Sequence, residues 1–224
     1  MSNPMIPLTH DAKNRFSKAV KLKISQMTGK LTDIPAINTN TLTNSFCTKM
    51  HAKKHPKNIC GVCYSQRMLK TYRANCAESW QGNSDLLSHS IIDEEDLPVI
   101  NSHSFRFNGH GELINLTHYF NIVRICKRNP HCSFALWTKR LDVIKRAFNT
   151  INPNGIKPDN LILIYSNPRG DSILEHPPEY FDKVFNNTST IEYRDNCSGR
   201  KCIECMQCYR KDSGVNVIIE AIKN

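Results

Sequence analysis

Short apolar runs alternate with amphipathic stretches along this chain, and the alternation predicts strands followed by helices. Leu161–Tyr165 (LILIY) is apolar throughout, the pattern of a strand buried on both faces, and Ser166-Asn167-Pro168 closes it. Ser133–Trp137 reads the same way and runs into Thr138-Lys139-Arg140. Ser102–Phe107 predicts a further strand, broken by Asn108-Gly109-His110-Gly111. Leu116 to Lys127 predicts a helix with Leu116, Tyr119, Phe120, Val123 and Cys126 on one stripe. Leu141–Phe148 predicts another, stopped by Asn152-Pro153-Asn154-Gly155. From Tyr64 onward a long helix is expected, because Tyr64, Met68, Tyr72, Cys76 and Trp80 recur four apart. That stripe makes Cys76 a packed core thiol. Weaker signals place a strand at Lys21–Ser25, loop over 31–46 and a short helix at Glu179–Phe185. Strands are also expected at Thr190–Tyr193 and Val215–Ile222.

Strands alternating with helices indicate an α/β fold with parallel strands. Five or six strand–helix units fit 224 residues, whereas a closed eight-unit barrel usually needs ~250, so a compact or partial (β/α) barrel is expected. No repeat or Gly/Ser linker divides the chain, so 1–224 reads as one domain. Its chemistry is expected at the C-terminal ends of the strands.

Composition narrows the class. Hydrophobic residues at 39% and charged residues at 22% exclude a disordered chain. The first residues carry no apolar signal core, and no apolar run approaches the ~20 residues of a membrane span. A cytoplasmic setting is therefore expected, where cysteines serve as thiolates more often than as disulfides. A net charge of +10 favours a nucleic acid, a nucleotide or another acidic partner.

Ten cysteines supply the candidate chemistry. Cys197, Cys202, Cys205 and Cys208 lie within NCSGRKCIECMQCY, a cysteine-rich loop spanning 195–210. Consecutive x2 steps suit an iron–sulfur cube, with a four-cysteine zinc site as the alternative. Four local thiolates make a closed centre, for electron transfer or structure. Cys47, Cys60 and Cys63 form a second set with only three thiolates, which suits a [4Fe–4S] cluster with one iron left open. His51 or His55 offers a fourth ligand if that site holds zinc. Lys139, at a strand exit, is a candidate for binding a substrate phosphate or carboxylate. The basic and aromatic stretch from Lys49 to Arg73 could follow a phosphate backbone, with Tyr64 or Tyr72 to stack. Cys126 and Cys132 are open between core thiols and a contributed ligand. No GxxxxGK[ST] loop, HExxH helix or GxSxG elbow is present.

The three front cysteines, followed after the next strand by Gly109-His110-Gly111-Glu112, resemble the radical S-adenosylmethionine enzymes, partial barrels with a three-cysteine cluster. The first gap is longer here, C-x12-C-x2-C, and Val62 stands where that superfamily often has an aromatic residue. The resemblance implies that Gly109, Gly111 and Glu112 receive the cofactor's methionyl amine, and that Ser166 and Asn167 contact its carboxylate or ribose. FCTKM, ICGVCY, LWTKR and the terminal cysteine run also resemble the phage "gene product 88" family. That likeness spans Thr28 to Tyr209 and implies a metal-cluster protein of viral or mobile-element origin, in the host cytoplasm if viral. The reading so reached is an iron–sulfur protein with two [4Fe–4S]-type clusters. In one form it is a radical S-adenosylmethionine-like enzyme acting on a nucleotide or nucleic acid, served by an electron-donor protein. The alternatives are a non-radical electron-transfer protein and a zinc-stabilised nucleic-acid-binding protein.

Overall fold

A computed structural model describes residues 21–150, 157–189, 195–197 and 199–221. Seven strands form one sheet in sequence order: β1 (Ile24–Ser25), β2 (Ala36–Ile37), β3 (Ser104–Phe107), β4 (Ser133–Thr138), β5 (Leu161–Ser166), β6 (Lys183–Thr188) and β7 (Val217–Ala221). β1 runs antiparallel to β2, and every later neighbour is parallel. Parallel neighbours need long crossovers. Helices α1 (Ser45–Ala52), α2 (Tyr64–Lys70) and α3 (Ala77–His89) lie between β2 and β3. Helix α4 (Leu116–Arg128) joins β3 to β4, and α5 (Leu141–Thr150) follows β4. A single turn, α6 (Cys202–Cys205), precedes β7. The pairing describes a sheet with β1 and β7 at its ends, and the closure of a barrel is not part of it.

The two faces of the sheet are covered differently. Phe105, Phe107, Phe134, Leu136, Leu161 and Leu163 pack with Leu87 of α3, Tyr119, Ile122 and Ile125 of α4, and Val143 and Ile144 of α5. The alternate positions Ala135, Trp137, Ile162 and Ile164 pack instead with Ile34 and Tyr209. Period-two alternation thus sends one set of side chains toward the helices and the other toward the cysteine-rich segment. Cys126 and Cys132 belong to the helix-side core. Their carbonyls accept from Asn160 Nδ2 at 3.0 Å each, and burial pushes the Cys132 thiol up to about 12. They are core thiols.

Two expected helices change. The one from Tyr64 stops at Lys70, where Thr71 leaves helical geometry and its hydroxyl donates to the Arg67 carbonyl at 2.8 Å. Such a local bond competes with the helix ladder. A 3-10 turn at Ala74–Cys76 then leads into α3, so the five-residue stripe does not form. Trp80 is buried, but Tyr64 is 53% and Tyr72 71% exposed, and Cys76 is half-buried in the turn. The short helix expected at Glu179–Phe185 is replaced by β6. Tyr180 has φ 72°, and Lys183 to Phe185 pair with Ile164 to Ser166. The loop expected over 31–46 holds β2 and the start of α1. The strand expected at Thr190–Tyr193 and the Asn152–Gly155 stop lie outside the described residues.

His118, in the first turn of α4, is buried, and its Nδ1 accepts from the Ile114 N–H at 3.3 Å. Burial holds its pKa down at about 3 against an ordinary 6.5. The unfolded chain therefore binds a proton that the folded chain refuses. This contribution is fully present above pH 6.5 and is lost as pH falls toward 3, by up to about 1.4 kcal/mol per pH unit. Urea unfolding at pH 7 and pH 5 is expected to show that loss, and His118→Asn to reduce the slope. An unchanged slope in the variant would refute the assignment.

Candidate metal centres

The front cysteines sit at the C-terminal end of the sheet. Asn44 caps α1 by accepting from the N–H groups of Phe46 and Cys47, which fixes Cys47 in the first turn. The chain then folds back. Asn58 Nδ2 donates to the carbonyls of Met50 (2.7 Å) and Lys53 (2.9 Å), and its Oδ1 accepts from the Cys60 N–H. The Ile59 N–H reaches the Pro168 carbonyl, and the Gly170 N–H reaches that of Lys57 at 2.8 Å. The Cys60–Cys63 loop is thereby pinned beside the exit of β5. His51 Nδ1 lies 2.9 Å from the Cys60 carbonyl and His55 Nδ1 accepts from the Lys57 N–H, so each uses one ring nitrogen to hold this loop.

Lys139 bears electrostatically on all three thiols. It follows β4 and donates to Ser166 Oγ at 3.1 Å. Burial alone would lower its pKa, but the charges of Cys60, Glu112, Cys47 and Cys63 more than reverse this and raise it. Burial pushes Cys47 far above the usual thiol range, with Glu112 adding and Lys139 opposing. Cys60 is raised for the same reason.

The glycine turn after β3 is shaped by close approach. A Cβ on Gly111, at φ 109°, would lie 2.0 Å from Thr39 Oγ1. Glu112 is buried, and its carboxylate accepts from the Leu113 N–H (2.8 Å), the Lys139 N–H (2.9 Å) and the Thr138 hydroxyl. Asn167 Nδ2 donates to the Ser172 carbonyl and Asn186 Oδ1. Glu112, Ser166 and Asn167 thus stand together at the strand ends, near the front thiols, with polar atoms engaged within the chain.

The tail cysteines cover the opposite face. The Cys197 N–H joins the Ile219 carbonyl beside β7. α6 closes through Cys205 N–H to the Lys201 carbonyl and Met206 N–H to that of Cys202, then reverses at Met206 with φ 56°. Tyr209 is buried against Trp137, and its carbonyl accepts from Ser133 Oγ at 2.6 Å. This anchoring makes Cys197, Cys202, Cys205 and Cys208 line one pocket with Tyr209 and Ile218. Burial raises Cys208 to about 12, with Arg106 opposing, and Cys197 to about 11. None of the cysteines is in a disulfide. Among the described residues, no group of three or more His, Cys, Asp or Glu side chains is placed to hold a metal ion as it stands. The thiols of either set must draw together to ligate.

Two features had no counterpart in the sequence reading. The Arg106 guanidinium stacks 3.8 Å over the Trp137 ring, on the cysteine side of the sheet. The alternation in SHSFRF, which sets Arg106 opposite Phe105 and Phe107, was the signal for it. The second is a cavity between the residue 25–31 segment, α2, α3 and His110. In comparisons with known proteins, the model of a family described as gene product 88 matches residues 8–207. No curated protein and no solved structure matches the chain.

Proposed function

The chain belongs to the gene product 88 family, and within it we propose an iron–sulfur protein with two centres on one sheet. The observation that carries the proposal is that four tail thiols line a single pocket. The front thiols support it, since all three bear electrostatically on one half-buried lysine at the strand ends. Cys197, Cys202, Cys205 and Cys208 would hold a closed cluster that supports the fold or passes electrons. Cys47, Cys60 and Cys63 would hold a cluster with one position open. Lys139 and Arg106 would offset the negative charge of thiolate-bound iron, since each bears electrostatically on its neighbouring thiols. The sequence-order winding, with helices α3 to α5 packed on one face, supports a partial barrel around the tail segment.

Metal binding by thiols commonly completes the geometry of its own site, which suits side chains that must draw together. Iron with acid-labile sulfide in the anaerobically purified chain is the expected result. Zinc without iron would replace the proposal by a zinc-stabilised fold. The stronger form adds S-adenosylmethionine at the open position. It draws on the glycine turn beside the front thiols, although the Glu112 carboxylate already accepts from three internal donors. A change in the cluster's electron paramagnetic resonance spectrum on adding S-adenosylmethionine would support the stronger form. An unchanged spectrum would leave the electron-transfer form.

A further inference from the structure

The cavity between α2, α3 and the glycine turn measures about 240 Å³. That lies just below the roughly 300–1,000 Å³ usual for drug-sized ligands, so it suits one compact ligand. Its wall is aromatic. His110 stacks on Trp80 with ring centroids 4.6 Å apart, and Tyr64 meets His110 edge-on at 5.4 Å. Its charge is of one sign, because Arg73 lines it and no Asp or Glu does. Burial, with Arg106 and Arg73 adding, lowers the His110 pKa to about 4, so the ring is neutral near pH 7. Nδ1 lies 3.2 Å from Ser65 Oγ, which leaves Nε2 without a partner among the described residues.

The surface outside the cavity has the same character. Between Asp33 and Glu78 the chain has no acidic residue and seven Lys or Arg. None of the seven is in an ion pair among the described residues. Tyr72 and Val62, exposed at 71% and 82%, stand on this stretch. A flat wall, an unpaired guanidinium and a basic approach select a planar ring that carries an anion, and they disfavour a cationic ligand.

We propose that this cavity binds a nucleotide, with its base against the Tyr64, Trp80 and His110 wall and its phosphate on Arg73. The nucleotide is either free or one unit of a single strand lying over the basic stretch. This site stands whether or not the thiols bind iron.

Mononucleotides and a labelled single-stranded oligonucleotide are titrated into the full chain, read by tryptophan fluorescence and anisotropy. Iron content is measured in the same samples, so a cluster failure is seen separately. Binding of the oligonucleotide is expected to weaken steeply between about 50 and about 200 mM salt, and that of a mononucleotide only slightly. Tyr64→Leu, at an exposed position, and Arg73→Gln, at a half-buried one, are each expected to weaken binding by roughly 5- to 100-fold. Arg73→Gln should also lower the salt slope by about one contact. Binding of mononucleotides marks a free ligand, and binding of the strand alone marks a strand unit. No nucleotide binding overturns the proposal. So does binding indifferent to both variants, or a preference for S-adenosylmethionine.

Discussion

Cys202→Ser combined with Cys205→Ser is expected to abolish metal binding at the proposed tail centre and to destabilise the sheet. These residues open and close the single turn α6, and their thiols line the same pocket as Cys197 and Cys208. The segment they clamp covers Ala135, Trp137, Ile162 and Ile164, so losing the clamp exposes one face of the core. In small zinc domains, metal held by such thiolates supplies on the order of 10 kcal/mol of folding free energy. A loss of several kcal/mol is therefore expected here, seen as a lower urea midpoint together with reduced iron and sulfide. The wild-type chain treated with a chelator should approach the same midpoint. Cys132→Ala is the control, because its thiol lies in the helix-side core. That change should lower stability through a cavity while leaving metal content intact. A double variant with unchanged metal and midpoint would remove the tail centre.

What the sequence disclosed follows from where its periodicity was long enough to read. β4, β5, α4 and α5 each carry six or more residues of consistent pattern and appear close to their expected bounds. β1 and β2 are two residues each, too short for alternation to show. Only Lys183–Phe185 of β6 falls in the helix expected over Glu179–Phe185, and its second half, Asn186-Asn187-Thr188, is polar and carries no strand signal. Asn186 is satisfied by tertiary partners, Asn167 and Leu174. The recurrence from Tyr64 overextends α2 because four-residue spacing says nothing about a Thr hydroxyl that turns back on the chain.

The cysteines were visible as ligand candidates because spacing alone carries that information. Lys139 was visible because strand exits carry chemistry in this class of fold. The cavity was not visible. It is assembled from four separate segments, and its markers, the exposure of Tyr64 and the Trp80–His110 stack, exist only after folding.

Glu112→Ala is expected to cost about 3–5 kcal/mol, an exceptional value for a single residue outside the apolar core. The buried carboxylate accepts from two backbone N–H groups and the Thr138 hydroxyl. Bonds to charged groups contribute roughly 1.5–3 kcal/mol each, and buried donors left without a partner add a penalty. Thr138 Oγ1 still accepts from the Arg140 N–H at 3.0 Å, but its O–H loses its acceptor together with the N–H groups of Leu113 and Lys139. Glu112→Gln should cost roughly 1–3 kcal/mol, because its amide would face a backbone donor where an acceptor is needed. The effect reaches the front thiols. The carboxylate ties the exit of β4 to the turn after β3, and the Glu112 carbonyl accepts from Asn44 Nδ2 at 3.1 Å, beside the cap that places Cys47. Iron at the front site should therefore fall with stability in both variants, and the tail site should keep its metal. A residue whose only task is to receive a cofactor would behave differently, with urea midpoints unchanged and only the cofactor's spectral effect lost. The midpoints of the two variants, set beside their iron content, decide between a positioning role and a cofactor contact for Glu112.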